Sequence, residues 1–383
     1  MKIGIMTFWW DEDNYGQILQ CYALQKYLQD AGHDAYLIRY DPRHDFRSTP
    51  IYKKIINIFN PKKLHRFILN KKRKFVDIRE KRNNYRGFKG FINKYIKQSE
   101  IIYYSYDELV KYPPQADLYI VGSDQVWNNF GKPISKSVNR MNAYLLNFGG
   151  PSVKRISYAA SFGKEKLSND YINIFAPLLK NFDYISVREE SGLEICKRCG
   201  INNAEWVPDP TMLFNSDIYR NLYKSEEMIK KPARPYCFLY IVGNSINFSI
   251  ESIYKWAESK NIDVEYVTAN LRQDKYKKTY STIPEWIYLL ENAEYVITNS
   301  FHAAAFSLIF NKEYLVIPKI GKNSNERLYS LFAMFNIEDR IMNDNISFTL
   351  FENKIQWDKV NLVLEQLRMS FKLNEFIKKN QHV

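Results

Sequence analysis

Short apolar runs that alternate with helical patterns constrain the fold of this chain most strongly. Residues 2–6 form the first run, residues 17–31 carry apolar side chains at helical spacing, and residues 35–38 form a second run. A strand that returns through a helix to another strand is typical of parallel sheets, whose strands are buried on both faces. The first forty residues therefore predict the opening of a Rossmann-like unit.

The same pattern recurs along the chain and predicts two domains. Further strands are predicted at residues 117–121, 155–160, 184–187, 205–207, 236–242, 264–267, 295–298 and 314–317. A polar, proline-containing stretch at 225–235 predicts a linker. We therefore expect an α/β fold of two Rossmann-like domains that face each other across a cleft, at residues 1–225 and 235–350. Closing helices are expected over 351–383, and a ligand at the carboxyl ends of the strands.

Composition indicates an ordinary globular protein of the cytoplasm. The 383 residues are 45% hydrophobic, and no apolar run reaches the roughly 18 to 20 residues of a membrane span. The first apolar run stops at the acidic residues 11–13, which favours a strand over a signal peptide. The four cysteines are too few and too scattered for a disulfide framework. Cys196 and Cys199 lack the second pair that a zinc site needs, so we predict no metal.

The excess of positive over negative charge lies in one segment, which predicts a basic helical insertion over about residues 43–100. Residues 43–98 contain 18 Lys and Arg against three acids, whereas the whole chain has a net charge of +13. Apolar residues recur among these cations at roughly helical spacing. Three interpretations remain open: a solvated insertion packed on its own domain, a surface for anionic lipid or a lipid-linked diphosphate, and nucleic-acid binding. The last lacks a recognisable nucleic-acid module, so we expect no nucleic-acid partner.

His302 is the histidine best placed to act on a ligand. It follows the apolar run 295–298 and begins a helix of small residues, where Ser300 can serve as the N-cap. The helix start leaves backbone N–H groups directed at whatever lies beyond the strand, which favours an anion. The other four histidines lie in loop-like, basic or terminal surroundings. A histidine that merely completes a turn is the alternative.

Polar side chains follow the other predicted strands as well. After residue 121 come Ser123, the carboxylate of Asp124, the amides of Gln125 and Asn128, and Trp127, which could stack on a sugar. An Asx turn that begins another helix is the alternative for this segment. Arg188 follows residue 187 and is suited to bind a carboxylate or phosphate, unless it pairs with Glu189 or Glu190. Lys319 and Arg327 follow the last predicted strand, and Asn14 and Gly16 follow the first.

Several common reactions are disfavoured by the motifs that the chain lacks. It has no Gly-x-Gly-x-x-Gly after a strand, no Walker loop and no Gly-x-Ser-x-Gly elbow. Hydride transfer and serine hydrolysis are therefore poor candidates. The predicted cleft instead offers cations for an anionic substrate, a histidine, an acid and aromatic rings for a carbohydrate.

An ordered set of motifs resembles the polysaccharide pyruvyl transferase family. The motifs are NYGQILQCYALQ at 14–25, GSDQVW at 122–127, SYAASFG at 157–163, SVRE at 186–189, VPDPT at 207–211 and SFH at 300–302. The resemblance implies a GT-B-like fold and transfer of a pyruvyl group from phosphoenolpyruvate onto two hydroxyls of a sugar, which forms a cyclic ketal. It also implies that an arginine, a histidine and a lysine surround phosphoenolpyruvate, and the matching positions are Arg188, His302 and Lys319.

This resemblance leads to a specific mechanistic expectation. We expect His302 to be the general acid, Asp124 the base for the acceptor hydroxyl, and Arg188 and Lys319 the ligands of the phosphate or carboxylate. Phosphoenolpyruvate is then a co-substrate and no cofactor is expected. The acceptor would be a sugar of a polysaccharide or of a polyprenyl-diphosphate-linked precursor, with the basic segment in peripheral contact with an anionic membrane. A GT-B glycosyltransferase that uses a nucleotide sugar is the main alternative, and a non-catalytic binding protein is another.

Overall fold

The computed structural model describes most of the chain outside the basic segment. The described residues are 1–10, 14–43, 84–128, 133–226, 229–244, 246–269, 272, 274–321, 325–342, 348–369 and 373. Most of the predicted basic insertion, residues 44–83, therefore lies outside the described residues. So does most of the chain after residue 369.

The first domain is built on a parallel sheet, as the apolar runs predict. Its strands are β1 (Lys2–Met6), β2 (Asp34–Tyr40), β3 (Gln98–Tyr103), β4 (Leu118–Val121) and β5 (Lys154–Ser157), in the order β3-β2-β1-β4-β5. Single parallel bridges, Ile156 to Tyr184 and Ala160 to Val187, connect β5 to the short pair β6 (Ser186–Val187) and β7 (Glu205–Trp206). The sequence misses only β3 among these strands, because this edge strand is half-exposed and lacks an apolar run.

The second domain repeats the plan with four parallel strands. They are β8 (Tyr236–Tyr240), β9 (Asp263–Val267), β10 (Tyr295–Thr298) and β11 (Tyr314–Val316), in the order β11-β10-β8-β9. The predicted α/β fold of two Rossmann-like domains is confirmed. In both domains helices connect successive strands and cover the faces of the sheet. The carboxyl ends of both sheets face the cleft between the domains.

The described helices connect the strands. In the first domain they are α1 (Tyr15–Asp30), α2 (Phe88–Tyr95), α3 (Tyr106–Lys111), α4 (Val138–Tyr144), α5 (Asn169–Leu179), α6 (Ser191–Arg198) and α7 (Ser216–Lys224). In the second they are α8 (Ile250–Ser259), α9 (Ile283–Glu291), α10 (Phe301–Ile309) and α11 (Glu326–Phe335), followed by α12 (Trp357–Met369). Short 3₁₀ turns occupy Ile134–Lys136, Pro210–Leu213, Glu338–Arg340 and Phe348–Phe351. None of the described helices is long and apolar enough to cross a membrane.

The two domains share one continuous apolar core. Helix α1 is buried on most of its surface, and its Tyr15 ring stacks on Trp286 of α9 at 5.4 Å between centroids. The Tyr15 hydroxyl donates a 2.7 Å hydrogen bond to the Ser281 carbonyl. Phe88 and Phe91 of α2 pack into the same core. Helix α2 and strand β3, which fall within the predicted insertion, therefore pack on the body of the protein.

The last described helix returns to the first domain. Arg368 of α12 donates hydrogen bonds to the carbonyls of Met212 (3.1 Å) and Phe214 (2.7 Å). Leu373 is buried in the apolar cluster that contains Ile3. The four cysteines are all buried and form no disulfide. The end of the chain thus braces the 3₁₀ turn Pro210–Leu213, which precedes α7.

Candidate functional site

A cationic cavity lies where the carboxyl ends of both sheets meet. Its volume is about 400 Å³. Among the described residues that line it, four are Lys or Arg and one, Asp124, is acidic. The lining residues are Phe8, Trp10, Asn14, Gln17, Pro42, Arg43, Asp124, Gln125, Arg140, Tyr240, Val242, Ser300, Phe301, His302, Lys319 and Arg327. Seven of the twelve residues that the sequence predicts for the site therefore line this one cavity.

His302 lies in the first turn of helix α10, at the edge of this cavity. Ser300 caps the helix as predicted, because its hydroxyl oxygen accepts a hydrogen bond from the Ala303 N–H at 3.4 Å. The imidazole is largely buried, with 6% exposure, and its Nε2 atom lies 3.7 Å from Oδ2 of Asp209. Gly16 of α1 packs against the ring, and a Cβ atom at this position would overlap the imidazole. Gly16 therefore makes room for His302, whereas the sequence predicted a contact with substrate.

Asp209 is the main site residue that reasoning from the sequence missed. Its Oδ2 atom accepts a 2.8 Å hydrogen bond from Arg188 and lies 3.0 Å from the Ser123 hydroxyl. Its Oδ1 atom accepts hydrogen bonds from the N–H and hydroxyl of Thr211. Burial alone would raise the pKa of Asp209, but His302 and Arg188 hold that pKa well below the usual range of a carboxyl group. The only signal in the sequence was its place in the VPDPT motif.

Arg188 lies behind the cavity wall rather than on it. Its side chain is 1% exposed and is absent from the described lining of the cavity. It forms ion pairs with Asp209 at 2.8 Å and Asp124 at 3.4 Å, and its guanidinium group lies 4.5 Å from the centroid of the Phe301 ring. The predicted direct grip on a substrate anion is therefore wrong for this arrangement, because two buried carboxylates already occupy the arginine. Neither of the carboxylates suggested by the sequence, Glu189 and Glu190, forms this pair.

Asp124 borders the cavity between two arginines. Its Oδ1 atom lies 3.4 Å from Arg188 and 3.6 Å from Arg327. Burial raises the pKa of Asp124, but Arg188, His302 and Arg327 outweigh that effect, so the pKa of the carboxyl group is lowered. A lowered pKa makes a carboxylate a weaker base. In this arrangement Asp124 is therefore a weaker base than a carboxylate without these cationic neighbours.

Lys319 and Arg327 give the cavity an excess of positive charge. Burial and the neighbouring Arg327 lower the pKa of Lys319 to about 8. Burial and Arg188 lower the pKa of Arg327. Asn325 fixes the backbone of Lys319 through two 2.9 Å hydrogen bonds, one to its N–H and one to its carbonyl. An anion bound between these side chains would stabilise both charges.

The remaining predicted residues divide into two groups. Asn14 and Gln125 line the cavity, and Asn14 also caps α1 through a 3.2 Å hydrogen bond from the Gln17 N–H. Ser123 is buried behind Asp124, and Asn128 lies outside the described lining. The prediction that Trp127 stacks on a sugar is wrong. Its ring is 3% exposed and packs 5.0 Å from Phe162, and its indole N–H donates to the Tyr144 carbonyl.

Aromatic and basic side chains complete the opposite wall. Phe8 and Trp10 follow β1 and Tyr240 ends β8, so the rule of strand ends could have found them. Arg43 follows β2 and pairs with Asp41 at 2.6 Å. Arg140 comes from helix α4, and its guanidinium group lies 5.2 Å from the centroid of the Phe8 ring. No strand precedes Arg140, so nothing in the sequence pattern indicated it.

The fold and site define a two-domain α/β protein with a cationic cavity between its sheets. Residues 14–318 match the model of the polysaccharide pyruvyl transferase family, and the chain belongs to this family. It is therefore a transferase of polysaccharide biosynthesis. No curated protein sequence matches the chain.

Solved structures of other proteins resemble the chain over nearly its whole length. One is UDP-GlcNAc 2-epimerase from Methanocaldococcus jannaschii in complex with UDP-GlcNAc and UDP, with a TM-score of 0.45, 13% identity, and 99% of each chain covered. A second is UDP-GlcNAc 2-epimerase from Neisseria meningitidis bound to UDP-GlcNAc, with a TM-score of 0.44, 10% identity, and 99% of each chain covered. A third is Arabidopsis thaliana UGT89C1 complexed with UDP-L-rhamnose. Its TM-score is 0.46 at 10% identity, with 99% of this chain and 95% of that chain covered.

Proposed function

We propose that the protein transfers a pyruvyl group from phosphoenolpyruvate to two hydroxyls of a sugar, forming a cyclic ketal and releasing phosphate. One observation carries this proposal: Lys319 and Arg327 border the same cavity as His302, and the pKa of each is lowered, that of Lys319 by burial and Arg327, and that of Arg327 by burial and Arg188. Such a pair favours an anionic ligand beside a histidine. Phosphoenolpyruvate carries both a carboxylate and a phosphate, so it can pair with both cations.

His302 is the proposed general acid. Phosphoenolpyruvate is an enol phosphate, so a proton transferred from the imidazolium to its methylene carbon leaves a cation at C2. The first sugar hydroxyl attacks C2 and releases its proton. The C–O bond to phosphate then breaks, which regenerates a cation at C2, and the second hydroxyl closes the ketal with loss of its own proton. Lys319 and Arg327 would stabilise the departing phosphate.

Asp124 is the proposed base for the acceptor hydroxyl once the donor is bound. Arg188 and Arg327 lie within 4 Å of its carboxylate and lower its pKa. A donor anion that pairs with Arg327 would offset that arginine's effect on Asp124. The carboxylate would thereby become more basic when donor and acceptor are both present. Because Asp124 would become more basic only after the donor binds, the acceptor hydroxyl would be less readily deprotonated in the absence of donor.

Mass spectrometry of a glycan acceptor incubated with protein and phosphoenolpyruvate tests the proposal. We expect the glycan to gain one pyruvyl group as a ketal, with one phosphate released for each ketal formed. The same reaction with the H302A variant is the matched control. Nucleotide release from a UDP-sugar, without phosphate release from phosphoenolpyruvate, would instead identify a glycosyltransferase.

The acceptor that we propose is a sugar of a polysaccharide or of a polyprenyl-diphosphate-linked precursor. The basic residues of segment 43–98 support peripheral contact with an anionic membrane. Co-sedimentation with vesicles of anionic and of neutral lipid at low salt separates this role from a solvated insertion. Equal sedimentation with both vesicles would contradict the membrane role and leave the transfer reaction untouched.

A further inference from the structure

Two buried glutamines of helix α1, Gln20 and Gln25, bind other segments of the chain through their amides. The amide of Gln25 forms two hydrogen bonds with the backbone of Lys97, at 2.7 and 2.8 Å. Lys97 precedes β3 and is absent from the described lining of the cavity. The amide of Gln20 instead contacts the two loops that follow β1 and β4, the neighbouring strands that end at the cavity.

Gln20 fixes both backbone polar groups of Ser123. Its Oε1 atom accepts a 3.1 Å hydrogen bond from the Ser123 N–H. Its Nε2 atom donates to the Thr7 hydroxyl at 2.9 Å and to the Gln17 carbonyl at 2.8 Å. Because the Thr7 oxygen accepts this bond, its own hydrogen is directed at the Ser123 carbonyl, 3.0 Å away. One amide thus supplies both the donor and the acceptor that this arrangement needs.

Ser123 leads directly to Asp124, whose backbone needs support from its neighbours. Asp124 has a φ of 66°, in the left-handed region that is unfavourable for residues other than glycine and persists where surrounding contacts hold it. The Asp124 carbonyl accepts hydrogen bonds from the N–H groups of Val126 at 2.8 Å and Ser161 at 3.0 Å. The bonds to Ser123 hold the peptide group that precedes Asp124. Together these contacts direct the carboxylate to the cavity.

We propose that Gln20 is a positioning residue that holds Asp124 in place at the cavity. Gln20 is buried and absent from the described lining, so it acts through Ser123 and Thr7 rather than on a ligand. The consequence for catalysis rests on the proposed function, in which the Asp124 carboxylate accepts the proton of the acceptor hydroxyl. Without the Gln20 amide, this carboxylate would be displaced from the acceptor, and kcat would fall.

Binding of the donor should depend less on Gln20, because the cations proposed to bind it come from the second domain. Lys319 is held by the amide of Asn325, and Arg327 lies on helix α11. Loss of the Gln20 amide should therefore change kcat far more than the KM for phosphoenolpyruvate.

Matched substitutions of the two glutamines test the proposal. Gln20→Met and Gln25→Met each replace a buried amide by an apolar side chain of similar length and leave backbone groups without their partner. We expect the two variants to lose similar amounts of unfolding free energy. Only Gln20→Met should lower kcat, by about tenfold to a hundredfold, with the KM for phosphoenolpyruvate within about threefold of the wild type. Equal kcat values in the two variants would overturn the positioning role.

Thr7→Val is a second variant that keeps the proposal testable if Gln20→Met does not fold. It removes the hydroxyl that binds the Ser123 carbonyl and the Gln20 amide, but it keeps the branched shape of the side chain. We expect kcat to fall about tenfold, and Thr7→Ser, which keeps a hydroxyl, to recover most of this loss. A wild-type kcat in Thr7→Val would overturn the proposal.

Amide hydrogen exchange tests the contact without any substrate. In a peptide that covers residues 122–127, mass spectrometry should show one amide that exchanges about tenfold faster in Gln20→Met than in Gln25→Met, because the Ser123 N–H loses its acceptor. Equal exchange in the two variants would overturn the proposal even if transfer from phosphoenolpyruvate is observed. Wild-type protein that releases no phosphate from phosphoenolpyruvate would contradict the proposed function, and the exchange at Ser123 would still decide whether Gln20 holds this loop.

Discussion

Two groups of buried charges lie side by side in this protein and differ in how well they are balanced. Behind the cavity wall, Arg188 pairs with Asp209 and Asp124; burial alone would lower the pKa of this arginine, yet its two carboxylate partners raise it. On the wall, the pKa values of Lys319 and Arg327 are both lowered. The carboxylates around Arg188 already neutralise its charge, whereas the charges of Lys319 and Arg327 would be stabilised by a bound anion. Their positions within the site therefore indicate different roles for side chains of the same charge.

The largest expected effect is a loss of folding stability on substitution of Arg188, the cation that pairs with Asp209 and Asp124. Arg188→Met would leave two buried carboxylates without their cation, and we expect a loss of about 3–5 kcal/mol in the free energy of unfolding. Urea denaturation measures this loss. The control is Arg234→Met, which breaks an exposed 3.0 Å pair with Asp263 and should cost about 1 kcal/mol or less. Similar losses of unfolding free energy in both variants would mean that Arg188 is not needed to neutralise the buried carboxylates.

The next largest effect is expected on the reaction rate, on substitution of His302. We expect His302→Ala to lower the rate of phosphate release from phosphoenolpyruvate about a hundredfold or more, because it removes the proposed general acid. Its unfolding free energy should change far less than that of Arg188→Met. A variant that keeps more than about a tenth of the wild-type rate would show that His302 is not the acid.

A smaller effect is expected from displacing the histidine without removing it. In Gly16→Ala the new methyl group would overlap the imidazole, and we expect about a tenfold to hundredfold fall in kcat. Gly90→Ala is the matched control in helix α2, where the nearest atom to a new Cβ is 4.0 Å away. This control should keep the wild-type kcat. Equal rates for the two variants would argue against a steric role for Gly16.

The smallest effect is the expected pH dependence of phosphoenolpyruvate affinity, which tests the charge of Lys319. Burial and Arg327 lower the pKa of Lys319 to about 8, so its amine is mostly charged below this pH and mostly neutral above it. Because an anion binds the charged form better, the affinity for phosphoenolpyruvate should fall as pH rises through about 8, by at most about tenfold per pH unit. Titration calorimetry at several pH values measures this dependence. Lys319→Arg should abolish it, since arginine stays charged; a dependence that persists in this variant would have another source.

Much of the site could be predicted from the sequence because side chains that follow parallel strands converge. This rule brought Asp124, His302, Lys319 and Arg327 to one cavity, although four different loops and helices carry them. The apolar runs likewise predicted ten of the eleven strands, because strands buried on both faces lack polar residues. The exposed edge strand β3 has no such pattern and was missed.

The errors share a physical cause, which is that sequence position does not determine which way a side chain turns after a strand. Trp127 and Arg188 follow strands as predicted, but both turn inward, one into the apolar core and the other onto Asp209. Asp209 and Arg140 were missed because their contacts join segments that are distant along the chain. Only the folded chain shows these pairings.

The bonds from Arg368 to the turn beside Asp209 have a consequence for the synthesis of this protein. Arg368 follows its acceptor carbonyl on Met212 by 156 residues. At ribosomal speeds of about 5–20 residues per second, the turn waits about 8 to 30 seconds for this partner. The turn beside Asp209 therefore gains this bond only after every described residue that lines the cavity has been synthesised.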